Sequence, residues 1–503
     1  METSPAAAAR PNVLLVVIDQ LRADALGCAG GLGAVTPNID RLAARGVRFA
    51  RHYAQGAPCG PGRASLATGQ YVMNHRVISN DTPMSSALKT LPRFMRELGY
   101  DPALVGYTTA MPDPRDLHPA DPRRTASVIP GDWDVVRDFE GERLHYLAWL
   151  AGQGYPPSCS YEALFEVPGA TGRTPFSPSP IARAHSDTAW CVDGALDYLR
   201  IRRDRPWFLH LGIFRPHPPF VATDPYHLQV DPACIPPPVR AADAEAEAAV
   251  HPLVRLLLDT MRATSGLPGL PGLARDIPAP DMAALRAAYL GLVAEVDAQL
   301  GRVLALLEET GQLGRTLIVL TSDHGEQLGD HYLLSKRGYF PQSYHVPCIV
   351  VDPRSGADAT RGQSVHAFTE NIDLLPTLLD GLGQPAPRQC NGASLLPFVH
   401  GRTPRHWRHD AHWEYDFGDV AGGRAHERLG IGRHACNLVV QCSDAFAYVH
   451  FAALPPLLFD LQRDPHWLVD VAQRPAYRDA ALEQARRLLS WRMSHADRTL
   501  APH

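Results

Sequence analysis

The nine cysteines of this chain, at 28, 59, 159, 191, 234, 348, 390, 436 and 442, form no C-x-x-C pair, are widely spaced and are odd in number. They do not outline a disulfide framework. Long apolar runs are also missing. The opening METSPAAAAR has no leader-like apolar core, and the run at 13–18 is too short to span a bilayer and ends in Asp19. A soluble, cytoplasmic protein without a membrane partner is expected. Nor is there an excess of positive charge: 48 Lys and Arg against 53 Asp and Glu leave a net charge of −5. That offers no broad basic surface for nucleic acid, so any site for an anion must be positive only locally. Internal repeats and low-complexity tracts are absent too.

What is present is globular. The 503 residues, 45% apolar and 20% charged, are enough for a large α/β unit plus a smaller one. The run at 13–18 (VLLVVI) is short, continuous and β-branched, the mark of a parallel strand buried on both faces, and it leads into Asp19-Gln20. The pattern recurs at 207–214, leading into Arg215-Pro216-His217, and at 316–320, leading into Thr321-Ser322-Asp323-His324. A weaker version at 103–105 leads into Gly106-Tyr107-Thr108-Thr109. Ligands of open parallel sheets gather beyond the carboxyl ends of strands, so these four ends are expected to converge on one edge. A helix over 282–309, capped by Asp281, shows one apolar stripe and reads as packing alone. Residues 225–280 are rich in Pro and Ala with helical pieces at 241–250 and 252–261, an insertion suited to a subunit contact. From about Cys390 the runs shorten, with strands expected at 437–441, 447–451 and 457–461 and a closing helix at 476–493. A boundary at 383–388 divides a catalytic unit, 1–385, from a smaller α+β unit, 386–503.

One short segment carries the most chemistry. Residues 59–63 read CGPGR and fit the C-x-P-x-R signature by which sulfatase-type hydrolases have a cysteine oxidised to formylglycine. Pro61 suits a first helical turn, where its missing N–H is no loss, which places Cys59 at a helix N-terminus with backbone donors aimed at it. Arg63, four residues on, shares that helical face and could hold the nucleophile or neutralise substrate charge. The plain alternative is a buried cysteine beside a helix cap.

The remaining motifs decide between these readings. PNVLLVVIDQLRADALG at 11–27, TPNIDRLAARGVRF at 36–49, SDHGEQLGDHYLLSK at 322–336 and LFDLQRDP at 458–465, in this order, resemble the sulfatase branch of the alkaline phosphatase superfamily, most of all its phosphonate monoester hydrolases. The resemblance implies a large alkaline-phosphatase-like α/β fold, a mixed, mostly parallel sheet flanked by helices with a smaller C-terminal α+β subdomain. It also implies one divalent ion held by Asp19, Gln20, Asp323, His324 and hydrated formylglycine at Cys59. The imidazole favours Mn²⁺, with Ca²⁺ or Zn²⁺ as alternatives. Substrate-binding roles pass to Asn80, Tyr107 and Thr109, and leaving-group protonation to His217 and Lys336; His75 and His331 read as structural. Expected partners are a small anionic ester, a formylglycine-generating maturation enzyme and further copies of the chain in a homodimer or homotetramer. GYTTAMPDPRD at 106–116 and the run at 323–336 resemble the phosphonate monoester hydrolases most, which implies hydrolysis of phosphonate monoesters and phosphate diesters, with side activity on sulfate esters. An arylsulfatase on the same scaffold is the alternative. A catalytically silent binding homologue would need a broken metal shell or an unmodifiable residue at position 59, and the sequence has neither.

Overall fold

The computed structural model describes residues 10–499 apart from 130, 142, 167–173 and 175. The chain start, on which the expectation of no leader rests, therefore lies largely outside the described residues. In chain order the strands are β1 (Asn12–Ile18), β2 (Val47–Tyr53), β3 (Gly56–Ala57), β4 (Pro102–Gly106), β5 (Asp134–Asp138), β6 (Phe208–Ile213), β7 (Thr316–Thr321), β8 (Cys348–Val351), β9 (Ser364–Glu370), β10 (Asp410–Asp416), β11 (Asn437–Ser443), β12 (Phe446–Phe451) and β13 (Leu457–Asp460).

Eight of them form a sheet in the order β5-β4-β6-β1-β7-β8-β2-β9. The four central neighbours β4, β6, β1 and β7 are parallel, as their hydrophobic runs predict, and only β8 runs against its neighbours. Val13, Leu15 and Val17 pack into one apolar cluster while Leu14, Val16 and Ile18 pack into another, so β1 is covered on both faces. Five helices matter to the site and its support: α1 (Pro37–Arg45), α2 (Cys59–Thr68), α3 (Asp187–Ile201), α4 (Ala279–Glu309) and α5 (Arg478–Ser494). The apolar stripe of α4, from Leu285 to Leu307, is buried as expected.

Two expectations about α4 are corrected. It starts at Ala279 with Pro278 at the cap position, so Asp281 lies inside the first turn. Pro280 fits there because a first-turn residue has no helical N–H bond to lose. The helix also does more than pack, since the Tyr289 hydroxyl donates to the Gln20 carbonyl at 2.9 Å and accepts from Arg22 N at 3.1 Å, bracing the turn after β1. A tyrosine in an apolar stripe hides this second role, because its polar tip is invisible to a periodicity argument.

The C-terminal region forms a second sheet in the order β13-β12-β11-β10-β3. Its edge strand β3 comes from the N-terminal part of the chain and pairs parallel with β10 through Gly56 and Ala57. The insertion packs on the loop after β7: Val239 N donates to Asp330 at 2.9 Å, and His331 Nδ1 lies 2.8 Å from Glu247.

Candidate active site

The CGPGR segment opens α2, with Pro58 at the cap position and Cys59 as the first helical residue. Its glycines are there for space. A Cβ on Gly62 would lie 2.4 Å from the Asp323 carbonyl oxygen, and one on Gly60 would lie 2.9 Å from the Ser79 carbonyl oxygen. The first turn of α2 can therefore press directly against the chain leaving β7, which brings Cys59 to the ends of β1 and β7.

Four side chains meet there. One ligand atom from each of Asp19, Cys59, Asp323 and His324 lies within 4.8 Å of the others, and all four residues are buried. His324 Nδ1 is 3.0 Å from the Gly325 carbonyl, which can only accept, so Nδ1 carries the proton and Nε2 presents a lone pair 3.2 Å from Cys59 Sγ. Asp19 Oδ1 is buried and has no hydrogen-bond partner. An orphaned carboxylate oxygen, a second carboxylate and an imidazole whose tautomer is set by its other nitrogen make a donor set that fits a divalent cation. The thiol sulfur of Cys59 marks where the oxygens of a hydrated formylglycine would stand. Burial and the nearby Asp19 carboxylate push that thiol pKa far up, so an unmodified Cys59 is a neutral, inert thiol.

Arg63 braces both acids. Its Nε donates to Asp323 Oδ2 at 2.7 Å, Nη2 reaches Asp19 Oδ2 at 3.4 Å, and Nη1 donates to the Tyr107 carbonyl at 3.0 Å. The guanidinium carbon also sits 4.0 Å over the Tyr107 ring, and the Tyr107 hydroxyl donates to Asp19 Oδ2. Burial opposes the charge on Asp19, but Lys336 and Arg63 with the Tyr107 hydroxyl outweigh it and hold the carboxyl below its usual range.

Gln20 follows with φ of 64°, so the chain turns out of the strand and delivers two consecutive side chains to one side. Its amide oxygen accepts from Lys336 Nζ at 2.6 Å, and its amide nitrogen donates to Glu326. Lys336 is 8% exposed. Burial disfavours its charge, yet the Asp19 and Asp323 carboxylates more than compensate, and its pKa is raised. Gly60 N donates to Asn80 Oδ1 at 2.8 Å, placing this exposed residue at the rim beside position 59 with its NH₂ group free of that bond. Thr109, at φ 52°, gives its backbone N–H to Glu140, and His217 lies near Lys336 without a hydrogen bond to the cluster. His217 Nδ1 lies 2.8 Å from the Pro218 carbonyl, so its Nε2 is an acceptor in the neutral ring. Burial and Lys336 hold the His217 pKa well below the usual value.

Two further carboxylates, the half-buried Glu140 and the fully buried Glu326, support the site without any motif that assigns them a role. Glu140 accepts from the backbone N–H groups of Thr108 and Thr109 and holds the loop carrying Tyr107, with its pKa pushed up to about 7 by burial. No spacing signal marks Glu140, which lies thirty-odd residues from the loop it holds. Glu326 stands inside the SDHGEQLGDH run, and its place three residues after Asp323 was the available signal. The structural reading of two histidines stands on contacts: His75 joins Ser65 Oγ at 3.0 Å to Val77 N at 3.1 Å, and His331 stacks on Phe340 beside Glu247.

Residues 11–384 match the family described as Sulfatase, and residues 329–494 match the family described as N-sulphoglucosamine sulphohydrolase, C-terminal. The chain is 44% identical over 503 residues to the multifunctional alkaline phosphatase superfamily protein PehA of Trinickia caryophylli, covering 98% of this chain and 97% of that one. Its fold is similar to the phosphonate monoester hydrolase of Agrobacterium radiobacter, with a TM-score of 0.93, 42% identity, and coverage of 98% of this chain and 97% of that one. The phosphonate monoester hydrolase SpPMH of Silicibacter pomeroyi gives a TM-score of 0.92 at 36% identity, again covering 98% of this chain and 97% of that one.

Proposed function

The chain belongs to the sulfatase family, within the alkaline phosphatase superfamily, and we propose that it hydrolyses phosphonate monoesters and phosphate diesters, with side activity on sulfate esters. The observation that carries this reading is the convergence of Asp19, Cys59, Asp323 and His324 on one point beside Arg63 and Lys336. It occurs in a chain similar along its whole length to proteins named as phosphonate monoester hydrolases. An arylsulfatase on the same scaffold remains the second reading, because both substrate classes present a singly charged tetrahedral centre.

Asp19, Gln20, Asp323, His324 and position 59 are the residues that would hold the divalent ion, and Mn²⁺ suits a set containing an imidazole. The ion supplies positive charge to the reacting centre, and formylglycine made from Cys59 supplies the attacking oxygen. The encoded residues do the rest. Arg63 fixes the inner edges of both acids and leaves Asp19 Oδ1 turned to the site. Lys336 holds a proton at Nζ beside the Gln20 oxygen, placed to neutralise or protonate a departing oxygen. His217 offers Nε2 to a proton that the anionic substrate helps to retain. Asn80 and Thr109 line the approach, and Tyr107 orients Asp19. This reading includes a formylglycine-generating maturation enzyme, a homodimer or homotetramer and a cytoplasmic location; no helix among the described residues is long and apolar enough to cross a membrane.

The test compares hydrolysis of an aryl phosphonate monoester with that of an aryl sulfate by purified protein whose Cys59 peptide has been weighed by mass spectrometry. A larger kcat/KM for the phosphonate and a formylglycine mass are expected. Preference for the sulfate moves the assignment to the second reading, and full turnover by protein carrying only the thiol removes position 59 as the nucleophile.

A further inference from the structure

We propose that Glu326 is a positioning residue that fixes which end of the Gln20 side-chain amide faces the active site. Glu326 is fully buried at the start of the loop leading to Lys336. Its Oε1 accepts from the backbone N–H groups of Leu328 at 2.9 Å and Ser335 at 2.5 Å, pinning both ends of that loop. The other oxygen, Oε2, accepts from Gln20 Nε2. Gln20 Oε1 is thereby left to face Lys336 Nζ at 2.6 Å.

A side-chain amide is chemically asymmetric, with an acceptor at one end and a donor at the other. The oxygen and nitrogen ends of a glutamine side chain are nearly the same size, so neighbours alone decide which points where. A carboxylate can only accept and an ammonium can only donate. Between Glu326 and Lys336 the Gln20 amide has one orientation that satisfies both, with NH₂ outward and the oxygen toward the site. A cation in the site, whether the Lys336 ammonium or a divalent ion, is served only by that orientation. Reversed, the amide would set donor against ammonium and acceptor against carboxylate, leaving two buried mismatches. Glu326 need not touch substrate or metal to control the charge they meet.

The proposal takes Gln20 and Lys336 to be active-site residues and tests it by exchanging the partners. In Glu326→Gln the remaining oxygen can keep both backbone bonds, but an NH₂ group now opposes the Gln20 NH₂. In Gln20→Glu two carboxylates oppose each other. In the double variant Gln20→Glu with Glu326→Gln, the amide at 326 donates to the carboxylate at 20, whose second oxygen again faces the site. The readout is Mn²⁺ affinity by competition titration without substrate, with thermal melting of the metal-free proteins as a check on folding. Glu326→Gln is expected to bind Mn²⁺ about 10–100-fold more weakly, the range seen when a residue supporting a ligand is changed, and Gln20→Glu is expected to bind it more weakly than the double variant. The double variant is expected to recover to within a few-fold of wild type, and kcat for the aryl phosphonate should follow the same order. A double variant as weak as the product of the two singles overturns the proposal. If Glu326→Gln does not fold, Gln20→Glu alone against the double variant decides: the second substitution must improve the first, and no improvement overturns the proposal. Because Mn²⁺ binding is read without substrate, failure of the wild type to hydrolyse phosphonates would count against the proposed function and leave this result standing.

Discussion

At the scale of single residues the site is a set of buried charges that compensate one another, and Lys336 is the member whose loss can be read in chemistry. Its ammonium lies 2.6 Å from the Gln20 oxygen and is held charged by the Asp19 and Asp323 carboxylates against the effect of burial. A departing alkoxide needs that proton or charge far more than a departing nitrophenolate does. Lys336→Ala should therefore slow alkyl esters by about 10²–10⁴-fold and nitrophenyl esters much less, steepening the dependence of kcat/KM on leaving-group pKa. An equal loss across the series would show that Lys336 only binds substrate charge. His75 gives a stability prediction. Because the Val77 N–H donates to its Nδ1, the ring is neutral in the fold, and burial pulls its pKa down to about 3. An unfolded histidine titrates near about 6.5. Between those values the unfolded chain binds more protons, so stability is intact above about pH 6.5 and declines as pH falls, by about 2 kcal/mol from this residue at pH 5. His75→Asn should melt lower than wild type at pH 7 but lose less between pH 7 and pH 5. Parallel melting curves would assign the acid sensitivity elsewhere, for example to His52 and His251, both pulled down to about 4 by burial.

The decisive element is α2, whose first turn is pressed against the chain after β7. Gly62 makes that approach possible, since a Cβ there would meet the Asp323 carbonyl at 2.4 Å and the Gly56 carbonyl at 3.1 Å. Neither atom belongs to a flexible side chain, so the helix must shift. Gly62→Ala should cost about 1–3 kcal/mol in urea unfolding, the usual range for overpacking, and should weaken Mn²⁺ binding by parting position 59 from Asp323. Unchanged stability with unchanged metal affinity would mean that the turn can give way locally. The same geometry places Arg63 one turn on, where a single guanidinium reaches both carboxylates.

Across the whole molecule the two sheets share one core. Trp413 of β10 stacks on Tyr53 of β2 at 5.5 Å and on Tyr344 at 5.1 Å, and its indole N–H donates to the Tyr339 carbonyl at 3.1 Å. Glu414 accepts from Met73 N at 2.9 Å, and its own N–H donates to the Gln55 carbonyl at 2.9 Å. The boundary expected near 383–388 therefore separates two sheets whose faces depend on each other. A fragment ending at residue 385 should lack a cooperative thermal transition and near-ultraviolet circular dichroism, having lost β10 to β13 and exposed Tyr53 and Tyr344. A cooperative melt of that fragment would show that the catalytic sheet is stable without them.

Much of this was readable in one dimension. The four hydrophobic runs ending in Asp19, Tyr107, His217 and Asp323 identified the parallel strands β1, β4, β6 and β7, because a strand buried on both faces needs an uninterrupted apolar run. The CGPGR segment marked a helix start through Pro61, since a proline in a first turn has no helical N–H bond to lose. Strands such as β2, with Arg48 and Arg51 among its apolar residues, and β10, with acids at both ends, lack such a run and were missed; pairing with neighbours distant in sequence forms them. The sequence by itself determined the family, the parallel centre of the sheet and the residues brought to its edge, because these depend on local pattern and short motifs. Only the tertiary structure decided that Glu326 orients Gln20, that Glu140 holds the Tyr107 loop and that Tyr289 braces the turn after β1. Those bonds join positions up to 306 residues apart, and a hydrogen bond depends on where two atoms end up, which no spacing along the chain encodes.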